Sequence, residues 1–221
     1  MSSSSVTEPT TTGEPAQTGP TGAQRRYGLG AVALAIVVGM LLGVAAGALI
    51  ARPGTPGDDS PEAGFARDMS THHQQAVAMG LIAFQQGSDA DVRSIGVDIA
   101  ASQQGEYGMM QGWLRSWELD PTGEQPRMAW MPDGESMVDG GLMPGMASTE
   151  EMERLRTAQG KELDILFLEM MIKHHIGGIH MVDALLDQSD HELVTEAAQR
   201  MKNTQQKDLT NLRTALERLQ G

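Results

Sequence analysis

Two stretches of this sequence repeat one another at a constant spacing of 102 residues. A Phe, a Met, two adjacent His, a small residue and a second Met recur in the same order in Phe65–Met79 and Phe167–Met181. The match continues without a gap as far as Leu114 and Leu216. A repeat at one fixed spacing predicts a supersecondary unit that is present twice.

Each repeat is predicted to form two helices joined by a short turn. Ser60-Pro61 is typical of a helix start, with Ser as N-cap and Pro at the first helical position. Ser88–Asp91 and Ser189–Glu192 predict the starts of the second helix of each pair, in capping-box-like patterns. Ser148–Glu151 predicts another capped start, followed by an interruption of the helix near Gly160.

These elements predict an all-α protein, because four apolar helix faces must bury one another. The economical arrangement is a four-helix bundle made of two duplicated hairpins, at residues 61–118 and 148–221. The intervening residues 119–147 are rich in Pro, Gly and Met. A structureless connection of that length within a compact domain is often functional.

The segment before the bundle is predicted to hold the chain in a membrane. No charge interrupts Gly28–Ile50, which is long enough to span a bilayer as a helix. Arg25 and Arg26 precede it, so the positive-inside rule places the N-terminus in the cytoplasm and the main domain outside the cell membrane. A cleaved signal peptide is the alternative. The predicted divisions are a disordered cytoplasmic tail (1–26), a transmembrane anchor (27–51), a linker (52–60) and the exported bundle (61–221).

Composition narrows the class of site that the exported domain can hold. The chain has no Cys, which excludes disulfide scaffolds, thiolate metal sites and thiol catalysis. Its net charge of −13 argues against nucleic-acid binding. All six His and every Met except Met1 and Met40, out of 16, follow the apolar segment. Residues with metal-binding side chains are therefore concentrated in the predicted bundle.

The duplicated motif places its His and Met side chains on one helix face. At 100° per residue, the first set falls within a sector of about 120°. The small residue in the middle, Ala76 or Gly178, is predicted to leave room for a ligand. The candidate metal ligands are Met69, His72, His73 and Met79 in the first repeat, and Met171, His174, His175 and Met181 in the second.

The second helix of each hairpin is predicted to face these residues with amides and a carboxylate. Such groups orient imidazole rings and fix their tautomers at metal sites. The candidates for this supporting role are Gln103, Gln104 and Glu106 in the first repeat, and Gln205, Gln206 and Asp208 in the second.

Imidazole combined with thioether favours a copper ion as the cofactor. Thioether sulfur is soft and prefers Cu(I), while imidazole binds both oxidation states of copper. Silver, Ag(I), is similarly soft. Met143 and Met146 in the central loop are further candidate ligands. The sequence thus predicts a membrane-anchored protein that sequesters or transfers copper.

The motifs Met69-x-x-His72-His73 and Met171-x-x-His174-His175 resemble those of domain-of-unknown-function family 305. Gln103-x-x-Glu106 with its following Trp residues, and Met143-Pro-Gly-Met146, are also similar. The resemblance covers about residues 58–221 and implies a ferritin-like helical bundle. It also implies periplasmic copper binding, as in some members, with the eight His and Met residues of the repeats as ligands. Where relatives often carry an acidic residue, this chain has Ile176.

Two other functions remain open from the sequence. A metal-dependent redox enzyme is one, although di-iron sites need a Glu three positions before the His, where this chain has Met69 and Met171. Haem bound by His and Met is a related case. A metal-free, membrane-tethered interaction module is the other. The sequence favours a binding protein over an enzyme, and it leaves the oligomeric state and any copper-transfer partner open.

Overall fold

The computed structural model describes residues 28–50 and 54–221. The chain divides into two compact units, at 1–52 and 53–221. In the first unit, α1 spans Leu29–Ile50. Among the described residues, none of the helices has both the length and the apolar character required to cross a membrane. The predicted tail at 1–26 lies outside the described residues, and the anchor at 27–51 stays a prediction from the sequence.

The second unit is helical throughout, apart from its connections. Two helices from each repeat, α2 with α3 and α5 with α6, pack as hairpins, and α2 and α5 join the two hairpins. The all-α prediction is therefore confirmed. The elements are α2 (Pro61–Gln86), α3 (Ala90–Ser116), a short 3-10 helix (Gly134–Met137), α4 (Thr149–Thr157), α5 (Gly160–Leu186) and α6 (Glu192–Gln220).

The N-caps predicted at the start of each repeat are confirmed. Ser60 accepts a hydrogen bond from the Ala63 amide at 3.2 Å, which caps α2. Ser148 and Glu151 form the predicted capping box of α4. The predicted interruption is also confirmed, because α4 ends before Gly160, which has a φ of +58° and begins α5.

The N-caps of α3 and α6 differ from the prediction. Asp89 caps α3 in place of Ser88, and His191 occupies the N-cap position of α6 in place of Ser189. Both serines bind a carboxylate of the other repeat instead. Asp164 accepts hydrogen bonds from the Ser88 hydroxyl and amide, while Glu62 accepts one from the Ser189 hydroxyl.

These two carboxylates are equivalent, because Glu62 and Asp164 lie 102 residues apart. Each carboxylate lies near the N-terminus of the first long helix of one hairpin and accepts hydrogen bonds from the interhelical turn of the other hairpin. Asp164 makes the more extensive contact, since it also accepts from the Asp89 amide at 3.0 Å. The two repeats are therefore joined reciprocally, as expected for two copies related by an approximate twofold axis.

The central loop packs closely against the bundle. Asp68 of α2 accepts hydrogen bonds from the Met128 amide at 2.7 Å and from the Trp130 indole at 2.9 Å. Gln75 clamps the other end of the loop, accepting from the Ala147 amide at 2.7 Å and donating to its carbonyl at 2.8 Å. The loop is thus part of the folded unit and is held to α2 at both Asp68 and Gln75.

Candidate metal centre

Four imidazole rings meet in the interior of the bundle, between α2 and α5. His72, His73, His174 and His175 are each at most 1% exposed. The His72 and His174 rings, which are equivalent in the two repeats, lie with their centroids 3.7 Å apart. The His174 and His175 centroids are 6.5 Å apart. The structure thus brings together the His pairs that the sequence places 102 residues apart.

Burial keeps the central pair of rings neutral. Desolvation, followed by the charge of His73, lowers the pKa of His72 to about 3. Desolvation also lowers the pKa of His174 well below its usual value, with the other three His adding to the effect. Neutral imidazole is the form that binds a metal ion, so these rings need not lose a proton near neutral pH.

A carboxylate on the neighbouring helix holds the second His of each pair. His73 Nε2–H donates to Glu106 at 2.7 Å, and His175 Nε2–H donates to Asp208 at 3.4 Å. In the neutral tautomer with its proton on Nε2, Nδ1 carries a free lone pair. Both Nδ1 atoms are buried and lack a hydrogen-bond partner. This arrangement matches metal-binding His residues, which donate their other nitrogen to a carboxylate.

The central loop distinguishes the two central rings. His72 Nε2–H donates to the Pro144 carbonyl at 3.1 Å. His174 occupies the equivalent position, but both of its ring nitrogens are buried without a partner. The single loop has no counterpart in the other half of the molecule, so its Pro144 carbonyl satisfies only one of two equivalent rings. His174 is left as the most poorly satisfied imidazole of the cluster.

Thioether groups lie on both sides of the imidazoles along each helix. Met69 and Met181, from different repeats, belong to one buried cluster that also includes Met143 and Met146. Met79 and Met171 belong to a second buried cluster. Met residues of opposite repeats are therefore grouped together, as the antiparallel packing of α2 and α5 requires.

The predicted amides divide into two groups. Gln103 and Gln205 are buried at 2% exposure, and each has an amide atom without a partner. Gln104 and Gln206 are exposed, so they lie away from the buried rings.

The space predicted beside Gly178 is filled by a side chain. A Cβ at Gly178 would lie 2.5 Å from the Gln205 Oε1 atom. Ala76, at the equivalent position, is itself fully buried in the second cluster. At Gly178 the expectation that the small residue leaves room for a ligand is therefore wrong, because the Gln205 side chain occupies that space.

The donor set fits a soft metal ion. Within residues 28–50 and 54–221, no group of three or more His, Cys, Asp or Glu side chains is arranged to hold a metal. A metal centre at this place would need thioether sulfur in addition to imidazole. Unpartnered nitrogens on His73, His174 and His175 are costly in an apolar interior, and a bound cation would satisfy them.

Sequence reasoning missed the residues that seat the central loop on this cluster. Gln75 and Gly177 are equivalent positions, and both contact the loop. A Cβ at Gly177 would collide with the Pro144 carbonyl. The sequence carries a signal for these contacts, because the repeat is broken at this position. Gln75 of the first repeat corresponds to Gly177 of the second.

Replacing Gly177 by Ala is expected to displace the loop from His72. The methyl group would overlap the Pro144 backbone, which cannot move without breaking the hydrogen bond to His72. Limited proteolysis within the loop measures the displacement. Gly112→Ala is the matched control, because that exposed helical glycine has no atoms near its Cβ position and should gain stability. Equal proteolysis of the two variants would contradict this role of Gly177.

The fold and the cluster together define a helical-bundle protein with buried His and Met side chains between its two repeats, a group called here the His–Met centre. The family model described as "Domain of unknown function (DUF305)" matches residues 62–216. The chain therefore belongs to the DUF305 family. No curated protein matches the chain.

Solved structures extend the comparison. The "putative secreted protein DUF305" of Streptomyces coelicolor is 37% identical, with a TM-score of 0.68, over 75% of this chain and 97% of that one. CopM in its Cu(II)-bound form is 22% identical, with a TM-score of 0.56, over 72% of this chain and 97% of CopM. CopM in its Cu(I)-bound form is 19% identical, with a TM-score of 0.57, over 73% of this chain and 99% of CopM. At these identities, the likeness to CopM shows a common fold.

Proposed function

We propose that this protein binds copper as Cu(I) in the His–Met centre and sequesters it or passes it on. The observation that carries the proposal is the buried group of four imidazoles, three of which, His73, His174 and His175, have a ring nitrogen without a hydrogen-bond partner. The copper-bound state of CopM, which shares the fold, supports the choice of metal. Ag(I), with similar softness, is proposed as a second ion for the same centre.

The ligands of any one ion are proposed to come from the imidazoles of His73, His174 and His175, at most two of them per ion, and from the thioethers of one buried cluster, Met69 with Met181 or Met79 with Met171. His72 joins them through the nitrogen that is not bonded to Pro144. Met143 and Met146 pack beside Met69 and Met181. Thioether and imidazole together favour Cu(I), and neutral ligands bind it without releasing protons.

We infer binding and transfer, and not turnover, as the role of the centre. The two carboxylates beside the cluster, Glu106 and Asp208, are each occupied by a His ring. An orienting role for these carboxylates fits a site that holds an ion. Steady-state oxidase assays of the copper-loaded and iron-loaded protein test the alternative of a redox enzyme.

Metal analysis of the full chain tests the proposal. Protein purified without a His-tag is loaded with Cu(I) under reducing conditions, dialysed, and measured for metal content. We expect at least one copper ion per chain to remain. Retention of no copper, iron or other metal would contradict the proposal and favour a metal-free interaction module.

Glu106→Gln and Asp208→Asn are expected to weaken Cu(I) binding without preventing it. Each change removes the carboxylate that fixes a ring on Nε2–H, and loss of such a partner typically lowers metal affinity by about 10- to 100-fold. Competition with a Cu(I) chelator measures the affinity. Asp98→Asn, an exposed change on α3, is the control and should leave the affinity unaltered. Identical affinities for all three variants would contradict an orienting role.

We also propose that Gly28–Ile50 anchors the domain outside the cytoplasm. Support comes from the uncharged sequence, the two preceding arginines and the Streptomyces coelicolor relative that is named a "putative secreted protein". The full chain is expected to remain with membranes after alkaline carbonate extraction. Leu41→Arg, which places a charge in the apolar segment, should reduce that retention. Release of the unaltered chain by carbonate would contradict the anchor.

A further inference from the structure

Two of the six His residues stand outside the duplicated motif. His180 and His191 correspond to Ala78 and Asp89 in the first repeat. His180 lies on the exposed face of α5, away from the buried rings. His180 therefore has no His counterpart in the first repeat, and it is not part of the buried centre.

A thioether meets His180 at the surface. His180 Nε2 lies 3.4 Å from the sulfur of Met137, at the end of the 3-10 helix in the central loop. The contact joins an imidazole on a rigid helix to a sulfur on a loop that is itself packed onto the bundle. The two donor atoms are near enough to bind one ion with small side-chain movements.

We propose that His180 and Met137 form a second, solvent-accessible site for a soft monovalent ion, Cu(I) or Ag(I). One imidazole and one thioether are the same donor types as in the buried centre, and both suit these ions. Two protein donors leave coordination positions open, so the ion at this site can exchange with a carrier outside the protein. The site binds more weakly than the buried centre because it has fewer donors.

The position of Met137 links the two sites. Its side chain packs against the buried cluster that contains Met143, Met146 and Met181. The exposed pair is therefore continuous, through Met137, with the buried cluster to which Met69 and Met181 belong. This continuity assigns the surface site to the entry or exit of the ion, an assignment that rests on the proposed copper-binding function.

The competing interpretation is a surface hydrogen bond from His180 Nε2–H to sulfur, with no ion bound. The two interpretations differ in what an added ion does to the Met137 methyl group. Ag(I) is a suitable probe because it is diamagnetic and does not change oxidation state under these conditions.

The experiment is a titration of the full chain, labelled with 13C-methyl methionine, with Ag(I). We expect the buried Met methyl signals to shift first and the Met137 signal to shift as further ion is added. His180→Ala should abolish the Met137 shift and lower the bound ion count by one, with the buried signals unchanged. His191→Ala, the other His outside the motif, is the matched control and should behave as the unaltered chain.

The outcomes separate this proposal from the copper-binding function. Shifts of the buried methyls without a Met137 shift would overturn the surface site alone. Absence of any Met shift would overturn both. If the site serves entry, His180→Ala should also slow the filling of the buried centre while leaving its final occupancy the same, and an unchanged filling rate would overturn the entry role.

Discussion

Replacing His174 by Leu is expected to remove most Cu(I) affinity while making the metal-free protein more stable. Both ring nitrogens of His174 are buried without a hydrogen-bond partner. Removing such groups should raise the free energy of unfolding by about 1 to 3 kcal/mol, provided that Leu fills the space. Loss of an orienting partner alone costs up to about 100-fold in metal affinity, so loss of a ligand should cost at least as much.

Two measurements on the same variant test this expectation. Urea unfolding of the metal-free chain gives the stability, and chelator competition gives the Cu(I) affinity. His191→Leu is the matched control, because the His191 ring also has a buried nitrogen without a partner but lies beside Trp117, outside the cluster. It should leave Cu(I) affinity unchanged. Unaltered affinity in His174→Leu would remove this ring from the proposed ligands.

Replacing Asp164 by Ala is expected to cause the largest loss of stability among the polar substitutions considered. Asp164 is 1% exposed and accepts hydrogen bonds from the Ser88 amide, the Ser88 hydroxyl and the Asp89 amide. Without the carboxylate, two backbone amides lose their partner at the turn between α2 and α3. We expect the free energy of unfolding to fall by about 3 kcal/mol.

The equivalent residue of the other repeat provides an internal comparison. Glu62 accepts one hydrogen bond, from the Ser189 hydroxyl, so Glu62→Ala should cost about 1 kcal/mol. Glu169→Ala, an exposed change on α5, should alter stability by less than about 0.5 kcal/mol. Urea unfolding monitored by circular dichroism measures all three. A loss in Asp164→Ala no larger than in Glu169→Ala would contradict the proposed fastening of the hairpins.

The repeat explains why much of this architecture was predictable from the sequence. A constant spacing that joins His72 to His174 requires two like units, and their apolar faces require a bundle. The approximate twofold axis then brings equivalent rings together, which is how His72 and His174 come to lie 3.7 Å apart. Helical periodicity alone places the candidate ligands of each repeat on one face, but it does not determine how the two faces meet.

The features that were not predictable involve contacts between the repeats or with the single loop. Ser88 and Ser189 have the sequence of N-caps, yet carboxylates of the opposite repeat bind them. A capping pattern depends only on neighbouring residues, so it does not predict a hydrogen bond to a carboxylate that is distant in the sequence. Similarly, the Pro144 carbonyl binds His72 and not His174, because one loop serves two equivalent positions.

X-ray absorption at the copper edge of the Cu(I)-loaded full chain is the most direct measurement of the buried centre. We expect a first shell that contains both nitrogen from imidazole and sulfur from thioether, with fewer nitrogen neighbours in His174→Leu. A first shell of nitrogen and oxygen without sulfur, or a spectrum that His174→Leu does not change, would contradict a His–Met copper centre.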